Sequence, residues 1–177
     1  MVKYAALLRG ISPSNPNMRN EKLRSVFESL GFANVQTVIS SGNILFESPS
    51  ENVKELETII EKALLVKLGF SSTTIIRSKE ELQKLIDKNP FKGIEDTPKS
   101  RLNVTFLKNK VHTELKFPHR SKDKTYELLG IYDGVICSVV DLTGARTPDL
   151  MLWLEKQFGK EITTRTWKTV MRILNTL

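Results

Sequence analysis

VQTVISSGNILFE, residues 35–47, carries the strongest signal for the fold of this chain. Apolar and polar residues alternate on both sides of the four residues SSGN, as they do in two antiparallel strands joined by a tight turn. The glycine allows the turn to adopt a backbone conformation that other residues rarely enter. We therefore predict a β-hairpin whose turn includes Ser41, Gly42 and Asn43.

The sequence predicts a strand and a helix before this hairpin, and a helix and a strand after it. Residues 3–9, KYAALLR, form an apolar run typical of a buried strand, and residues 72–78, STTIIRS, are rich in β-branched residues. Residues 20–32 and 49–70 carry apolar residues at helical spacing. The order β-α-β-β-α-β is that of a ferredoxin-like sheet, with two helices on one face and the first strand beside the third.

The remainder of the chain predicts a second, smaller domain. Ser78 and Glu81 have the spacing of a capping box, which predicts a short helix before a linker that is rich in proline. Asp133-Gly134 separates two apolar runs and predicts a hairpin. We divide the α+β chain into a ferredoxin-like domain over 1–78, a helix and linker over 79–100, and a related α+β domain over 101–177. The last domain ends in two predicted helices, one that begins near Thr147 and one that begins near Thr163 or Thr164.

Positive charge dominates the second half of the sequence. The 177 residues carry a formal net charge of +7, with a pI near 9.5. The excess is densest over residues 99–124, where eight basic residues stand against Glu114 and Asp123. Such a segment attracts phosphates, carboxylates or the backbone of a nucleic acid, although a solvated lysine surface has the same composition.

Several other classes of protein find no support in the sequence. No apolar run approaches the roughly 20 residues that a membrane span requires, and the N-terminus does not resemble a secretory signal, so we predict a cytoplasmic protein that binds no membrane. A single cysteine and two histidines do not make a convincing zinc site. No phosphate-binding glycine loop and no nucleophile motif is present, and we predict no cofactor and no catalytic residue.

The first candidate binding site lies where the first strand ends. In the predicted sheet this end lies beside the start of the third strand, so that Arg9, Gly10 and Ser12 approach the turn of Ser41, Gly42 and Asn43. A guanidinium beside backbone N–H groups and hydroxyls would hold a phosphate or a carboxylate. The alternative is that both glycines only permit turns and that the polar side chains only satisfy local hydrogen bonds.

The second candidate site lies at the predicted start of the last helix. A helix N-terminus presents free N–H groups and partial positive charge, which favour anions. The residues concerned are Thr164, Arg165, Trp167 and Lys168. Arg146 and Thr147 open the preceding predicted helix in the same way. The alternative is that Thr164 only caps its helix and that Trp167 only packs in the core.

The chain resembles a bacterial family of unknown function, catalogued as domain of unknown function 1697. The resemblance rests on YAALLRGI, LGFANVQTVISSGNILFES, NPF, LNVTFL and TTRTWKTV, which stand in the family's order and at about its spacing. It implies a ferredoxin-like N-terminal part and a related α+β C-terminal part, and it implies no activity. Ser12, Thr166 and Lys168 stand where the family usually has asparagine.

These observations favour a non-catalytic module that binds an anionic small molecule or a nucleic-acid backbone. One alternative is an enzyme that uses Arg9, Ser41 and Arg165 at a cleft between domains, and another is a module that dimerises through an exposed sheet face. For RNA recognition by the first sheet, the central strands offer only Tyr4 and Phe46 for base stacking. The oligomeric state stays open.

Overall fold

A computed structural model describes residues 1–144 and 149–177. The chain divides into two compact units, one formed by Met1–Gln83 with Met171–Leu177 and the other by Lys84–Val170. Each unit contains one antiparallel sheet. The mixed α+β, two-domain architecture that the sequence predicts is confirmed.

The first unit has the predicted order of elements. Its strands and helices are β1 Val2–Leu8, α1 Asn20–Ser29, β2 Ala33–Thr37, β3 Asn43–Ser48, α2 Val53–Leu68 and β4 Thr74–Ser78. The sheet order is β2-β3-β1-β4, and each neighbouring pair is antiparallel. β1 lies directly beside β3, with Leu7 opposite Asn43, as the sequence predicts.

The core of the first unit joins α1 and α2 to the sheet. Phe27 of α1 is fully buried and packs its ring against Phe32 and Phe46, with ring centroids 6.0 and 5.5 Å away. Tyr4 and Phe46 belong to the same core and are at most 2% exposed. These two aromatic side chains are therefore not available to stack on the bases of an RNA.

The second unit has a similar arrangement of strands. Its elements are β5 Ser100–Leu107, β6 His119–Arg120, β7 Tyr126–Tyr132, β8 Val135–Asp141, α4 Leu150–Phe158 and β9 Ile162–Thr166, while α3 Lys79–Asp87 and α5 Trp167–Thr176 have residues in both units. The sheet order is β6-β7-β8-β5-β9. Without the two-residue β6, this order repeats that of β2-β3-β1-β4. The turn at Asp133-Gly134 has positive φ at both residues, as the predicted two-residue hairpin requires.

The two units differ after their first strand. In the first unit α1 comes after β1, whereas residues 108–125, here called the basic connector, join β5 to β7 and contain only the short strand β6. α4 packs on the sheet with Leu150 and Leu154 buried, and Val111 and Phe117 of the basic connector pack against the same core. The connector thus covers part of the sheet without forming a helix.

The predicted start of the last helix is wrong. Ile162–Thr166 form the edge strand β9, which pairs with β5, and α5 begins only at Trp167. The physical reason is that four of these five residues are β-branched and favour a paired strand over a helix. Thr166, and not Thr164, accepts the capping hydrogen bond, from the backbone N–H of Thr169 at 3.3 Å.

Within residues 1–144 and 149–177, none of the helices combines the length and the apolar character that crossing a lipid bilayer requires.

Candidate functional site

The structure brings the end of β1 and the hairpin turn together. The Leu8 N–H donates to the Gly42 carbonyl at 2.8 Å, and the Arg9 N–H donates to the Thr73 carbonyl at 2.9 Å. Gly42 is buried with φ of 74°, and a Cβ there would lie 2.6 Å from Ile11 Cγ1 and 3.0 Å from Leu8 Cβ. The turn therefore requires glycine for both its conformation and its close packing.

Asn43 closes the hairpin from the inside. Its side chain is 1% exposed, and Nδ2 donates to the Val38 carbonyl at 2.8 Å and to Ser41 Oγ at 3.0 Å. Both bonds lie within the turn and are of the kind by which asparagine stabilises turns. They give Ser41 and Asn43 a structural role that needs no ligand.

Arg9, Gly10 and Ser12 occupy a more open position. Arg9 is half-buried, and its carbonyl accepts a hydrogen bond from Ser72 Oγ at 2.8 Å. Gly10 and Ser12 are exposed, and Ser12 Oγ lies 2.7 Å from Ser14 Oγ. The predicted proximity of strand end and turn is thus present, and ligand binding by these residues stays a prediction.

The second predicted site does not lie at a helix N-terminus. Thr164 and Arg165 belong to β9, where Thr164 Oγ1 lies 2.7 Å from Thr105 Oγ1 and 2.9 Å from Met151 Sδ. Arg165 is 9% exposed, and its Nη1 donates to Thr163 Oγ1 and to the Thr164 carbonyl. Burial lowers the pKa of Arg165 to about 10, so the guanidinium is still charged at neutral pH.

Of the other residues predicted for this site, Trp167 makes a core contact and Lys168 makes a surface ion pair. Trp167 is buried, and its ring packs edge-on against Phe91 with centroids 5.1 Å apart. Lys168 is exposed and lies 3.3 Å from Asp96. Arg146 and Thr147 lie outside the residues that the structure describes, so their predicted role stays a prediction.

Two grooves in the second unit form a site that the sequence indicates only in part, because the basic stretch 99–124 supplies one wall and residues outside it supply the other. The large groove has a volume of about 730 Å³ and is lined by residues that include Leu115, His119, Arg120, Lys122, Trp153 and Lys156. The small groove has a volume of about 300 Å³ and is lined by residues that include Lys99, Ser100, Arg120, Lys124, Glu127 and Asp141. Arg120 and Tyr126 line both grooves, so the grooves adjoin along this pair.

The basic connector explains why these grooves exist. It occupies the position in the chain that α1 has in the first unit, but its residues 108–118 and 121–125 form neither helix nor strand. The large groove lies between this connector and one face of α4, with Tyr126 of β7 also in its wall. A volume of this size is within the range of small-molecule binding sites.

Five basic side chains and four carboxylates line the two grooves. The basic residues are Lys99, Arg120, Lys122, Lys124 and Lys156, and the acidic ones are Asp123, Glu127, Asp141 and Asp149. Hydrogen bonds from Ser121 and Thr125 hold the pKa of Asp123 below its ordinary value. Hydrogen bonds from Thr143 do the same for the pKa of Asp141, with a further contribution from the charge of Arg120. Asp123 and Asp141 are therefore engaged in local turns, while four of the five cations are lysines on flexible stems.

An aromatic pair stands in the wall of the large groove. His119 stacks on Trp153 with ring centroids 5.1 Å apart and planes 23° from parallel, and both side chains are half-buried. The ring centroids of Tyr126 and Trp153 lie 6.0 Å apart. Because His119 and Trp153 are far apart in the sequence, no local motif marks this pair.

The described residues offer little support for covalent or metal chemistry. Cys137 is fully buried, and burial raises the pKa of its thiol to about 12, so it is not a nucleophile at neutral pH. Among residues 1–144 and 149–177, no group of three or more His, Cys, Asp or Glu side chains is arranged to hold a metal ion. The chemistry that the grooves do offer is charge, hydrogen bonding and aromatic contact.

Comparisons with known proteins identify one family and a similar solved structure. A family model described as a protein of unknown function, DUF1697, matches residues 1–136. The conserved bacterial protein SP0830 from Streptococcus pneumoniae has a similar solved structure, with a TM-score of 0.70 and 21% sequence identity over 98% of this chain and 97% of that one. At this identity the likeness shows the fold alone. No curated protein matches the sequence significantly.

Proposed function

The chain belongs to the DUF1697 family of proteins of unknown function, and we propose that it binds an anionic ligand in the two grooves of its second unit, without covalent catalysis. The ligand is a phosphorylated or carboxylated small molecule or the backbone of a nucleic acid. The observation that carries this proposal is that Arg120 lines both grooves, with Lys99 and Lys124 in one and Lys122 and Lys156 in the other.

The distribution of charge between the units supports the same proposal. Residues 84–170 hold 16 basic and 11 acidic residues, a balance of +5, whereas the first unit holds 11 basic and 9 acidic residues, a balance of +2. The net positive charge attracts anions to the second unit as a whole, and the groove linings, with five cations against four carboxylates, have a balance of +1. Arginine is also suited to phosphate and carboxylate, because its planar guanidinium binds two oxygens at once.

Titration with inorganic pyrophosphate at low ionic strength tests this proposal, with calorimetry as the measurement. We expect binding that weakens as salt rises, since screening reduces the attraction between exposed charges. Arg120→Gln should weaken binding by about tenfold or more, because a charge-assisted hydrogen bond contributes roughly 1.5–3 kcal/mol. Absence of binding by pyrophosphate, by a dicarboxylate such as succinate and by an oligonucleotide would contradict the proposal.

Arg101→Gln is the matched control for this experiment. Arg101 belongs to the same basic stretch and is exposed, but it is absent from the lining of both grooves. The Arg101→Gln substitution changes the net charge by the same amount as Arg120→Gln. Equal loss of affinity in the two variants would assign the effect to net charge and would overturn the assignment of the grooves.

A further inference from the structure

We infer that the ligand of the large groove carries a heteroaromatic ring as well as an anionic group, which is the chemistry of a nucleobase joined to a phosphate. This inference rests on the proposed function, since it uses the same grooves. The observation behind it is the stacked pair of His119 and Trp153, which stands beside the basic side chains of Arg120 and Lys156 in one concave surface.

The position of the aromatic pair favours contact with a ligand. Trp153 and His119 are only half-buried, while Trp167, the other tryptophan, is 9% exposed and packed against Phe91. Leu152, the neighbour of Trp153 on α4, is 62% exposed and also lines the large groove. Trp153 packs against the core of the second unit, but it and His119 also line the large groove, where a ligand can contact them.

The combination of rings and cations selects one class of ligand. A sugar phosphate or a dicarboxylate would use the basic side chains but would gain little from a stacked aromatic pair. A nucleobase has a flat π-surface that stacks on aromatic side chains, and its phosphate is attracted by arginine and lysine. Free nucleotides and single-stranded nucleic acids share this chemistry, and the experiment separates the two sources.

The arrangement differs from recognition by the face of a sheet. The aromatic residues of β1 and β3, Tyr4 and Phe46, lie in the core of the first unit. In the second unit the rings come from different elements, with Trp153 on α4 and His119 on β6. A ligand ring that contacts this pair therefore lies in the large groove, which the basic connector and α4 border.

Tryptophan emission and calorimetry test the inference with adenosine 5′-monophosphate and ribose 5-phosphate as the matched probes. We expect the nucleotide to bind about 5- to 150-fold more tightly than the sugar phosphate and to quench the emission, because stacking on one aromatic side chain contributes about 1–3 kcal/mol. Trp153→Leu should abolish both the quenching and the preference. Trp153→Phe keeps an aromatic ring and should retain most of the preference, which separates lost stacking from lost folding.

The remaining outcomes of this experiment test the aromatic inference and the proposed anion site. Equal affinity for ribose 5-phosphate and the nucleotide, without quenching, would overturn the aromatic inference and leave the anion site intact. Absence of binding by both probes, by pyrophosphate, by succinate and by an oligonucleotide would overturn the proposed function as well. If an oligoadenylate binds more tightly than the mononucleotide and with a steeper salt dependence, the source is a single strand, whereas equal affinity per site identifies a free nucleotide.

Discussion

Apart from the two-residue strand β6, the two sheets of this protein have the same strand order, but they differ in the segment that comes after their first strand. In the first unit, β1 leads into α1, and Leu23, Val26 and Phe27 of that helix are buried in the core. In the second unit, β5 leads into the basic connector, which borders the large groove beside α4 and the small groove beside β7 and β8. The first unit thus has a helix packed on its sheet after the first strand, whereas the second unit has an irregular connector there and, beside it, a concave, charged surface.

Of the substitutions that test this contrast between the units, Phe27→Ala is expected to lower the free energy of unfolding the most. The Phe27 ring is fully buried against two other rings, so its loss should reduce the free energy of unfolding by about 3–5 kcal/mol. Leu152→Ala in the large groove is the control, because that side chain is 62% exposed and should change stability by about 0.5 kcal/mol or less. Urea unfolding measures both. Similar losses in the two variants would contradict the contrast between a filled and an open layer.

The next effect concerns the hairpin turn of the first unit. Gly42→Ala forces a Cβ to within 3.0 Å of Leu8 Cβ at a positive φ, and we expect a loss of about 2–4 kcal/mol in the free energy of unfolding. Gly10→Ala has nearly the same φ but meets nothing within 4 Å, so about 1 kcal/mol is expected. The difference between the two variants, from chemical denaturation, isolates the packing of the turn. A difference near zero would mean that the turn relaxes freely.

A smaller effect is expected at the β4 edge of the first sheet. Glu57 is 4% exposed, and its Oε1 accepts the Ile76 N–H at 3.0 Å, while Glu61 Oε1 accepts the Thr74 N–H at 2.7 Å. The two carboxylates, four residues apart on α2, thereby satisfy alternate N–H groups of β4. Glu57→Leu should cost about 1–3 kcal/mol in the free energy of unfolding, because it leaves a backbone donor without its acceptor.

Glu57→Gln is the conservative control for that edge. Its amide oxygen can still accept the Ile76 N–H, so amide hydrogen exchange at Ile76 should stay slow, whereas Glu57→Leu should accelerate it. Equal protection of Ile76 in both variants would show that the carboxylate does not close the edge.

Much of the first unit could be predicted because its signals are local. The alternation around SSGN, the helical spacing of apolar residues and the apolar run of β1 each indicate one element, and their order indicates the sheet. The start of the last helix was not predictable by the same means. Threonine serves both as a helix cap and as a strand residue, and only pairing with β5 decides that Thr163 and Thr164 belong to β9.

The candidate site could be predicted only in part. The cluster of basic residues over 99–124 marks one wall of the grooves, and the poor helical pattern after β5 marks the place where a helix is absent. The other wall comes from α4, and no spacing rule joins Trp153 to His119 across more than thirty positions. Such a pair becomes visible only when the tertiary packing of α4 against the basic connector is known.

Both proposals require that the ligand binds to the second unit. This requirement is tested by adding adenosine 5′-monophosphate to the isotope-labelled protein and mapping the chemical shifts of its backbone amides and tryptophan indoles. We predict shifts in the Trp153 indole and in the amides of residues 119–126, with the Trp167 indole and the amides of Arg9 and Asn43 unchanged. Shifts confined to Arg9 and the hairpin turn, or no shifts at saturating nucleotide, would contradict it.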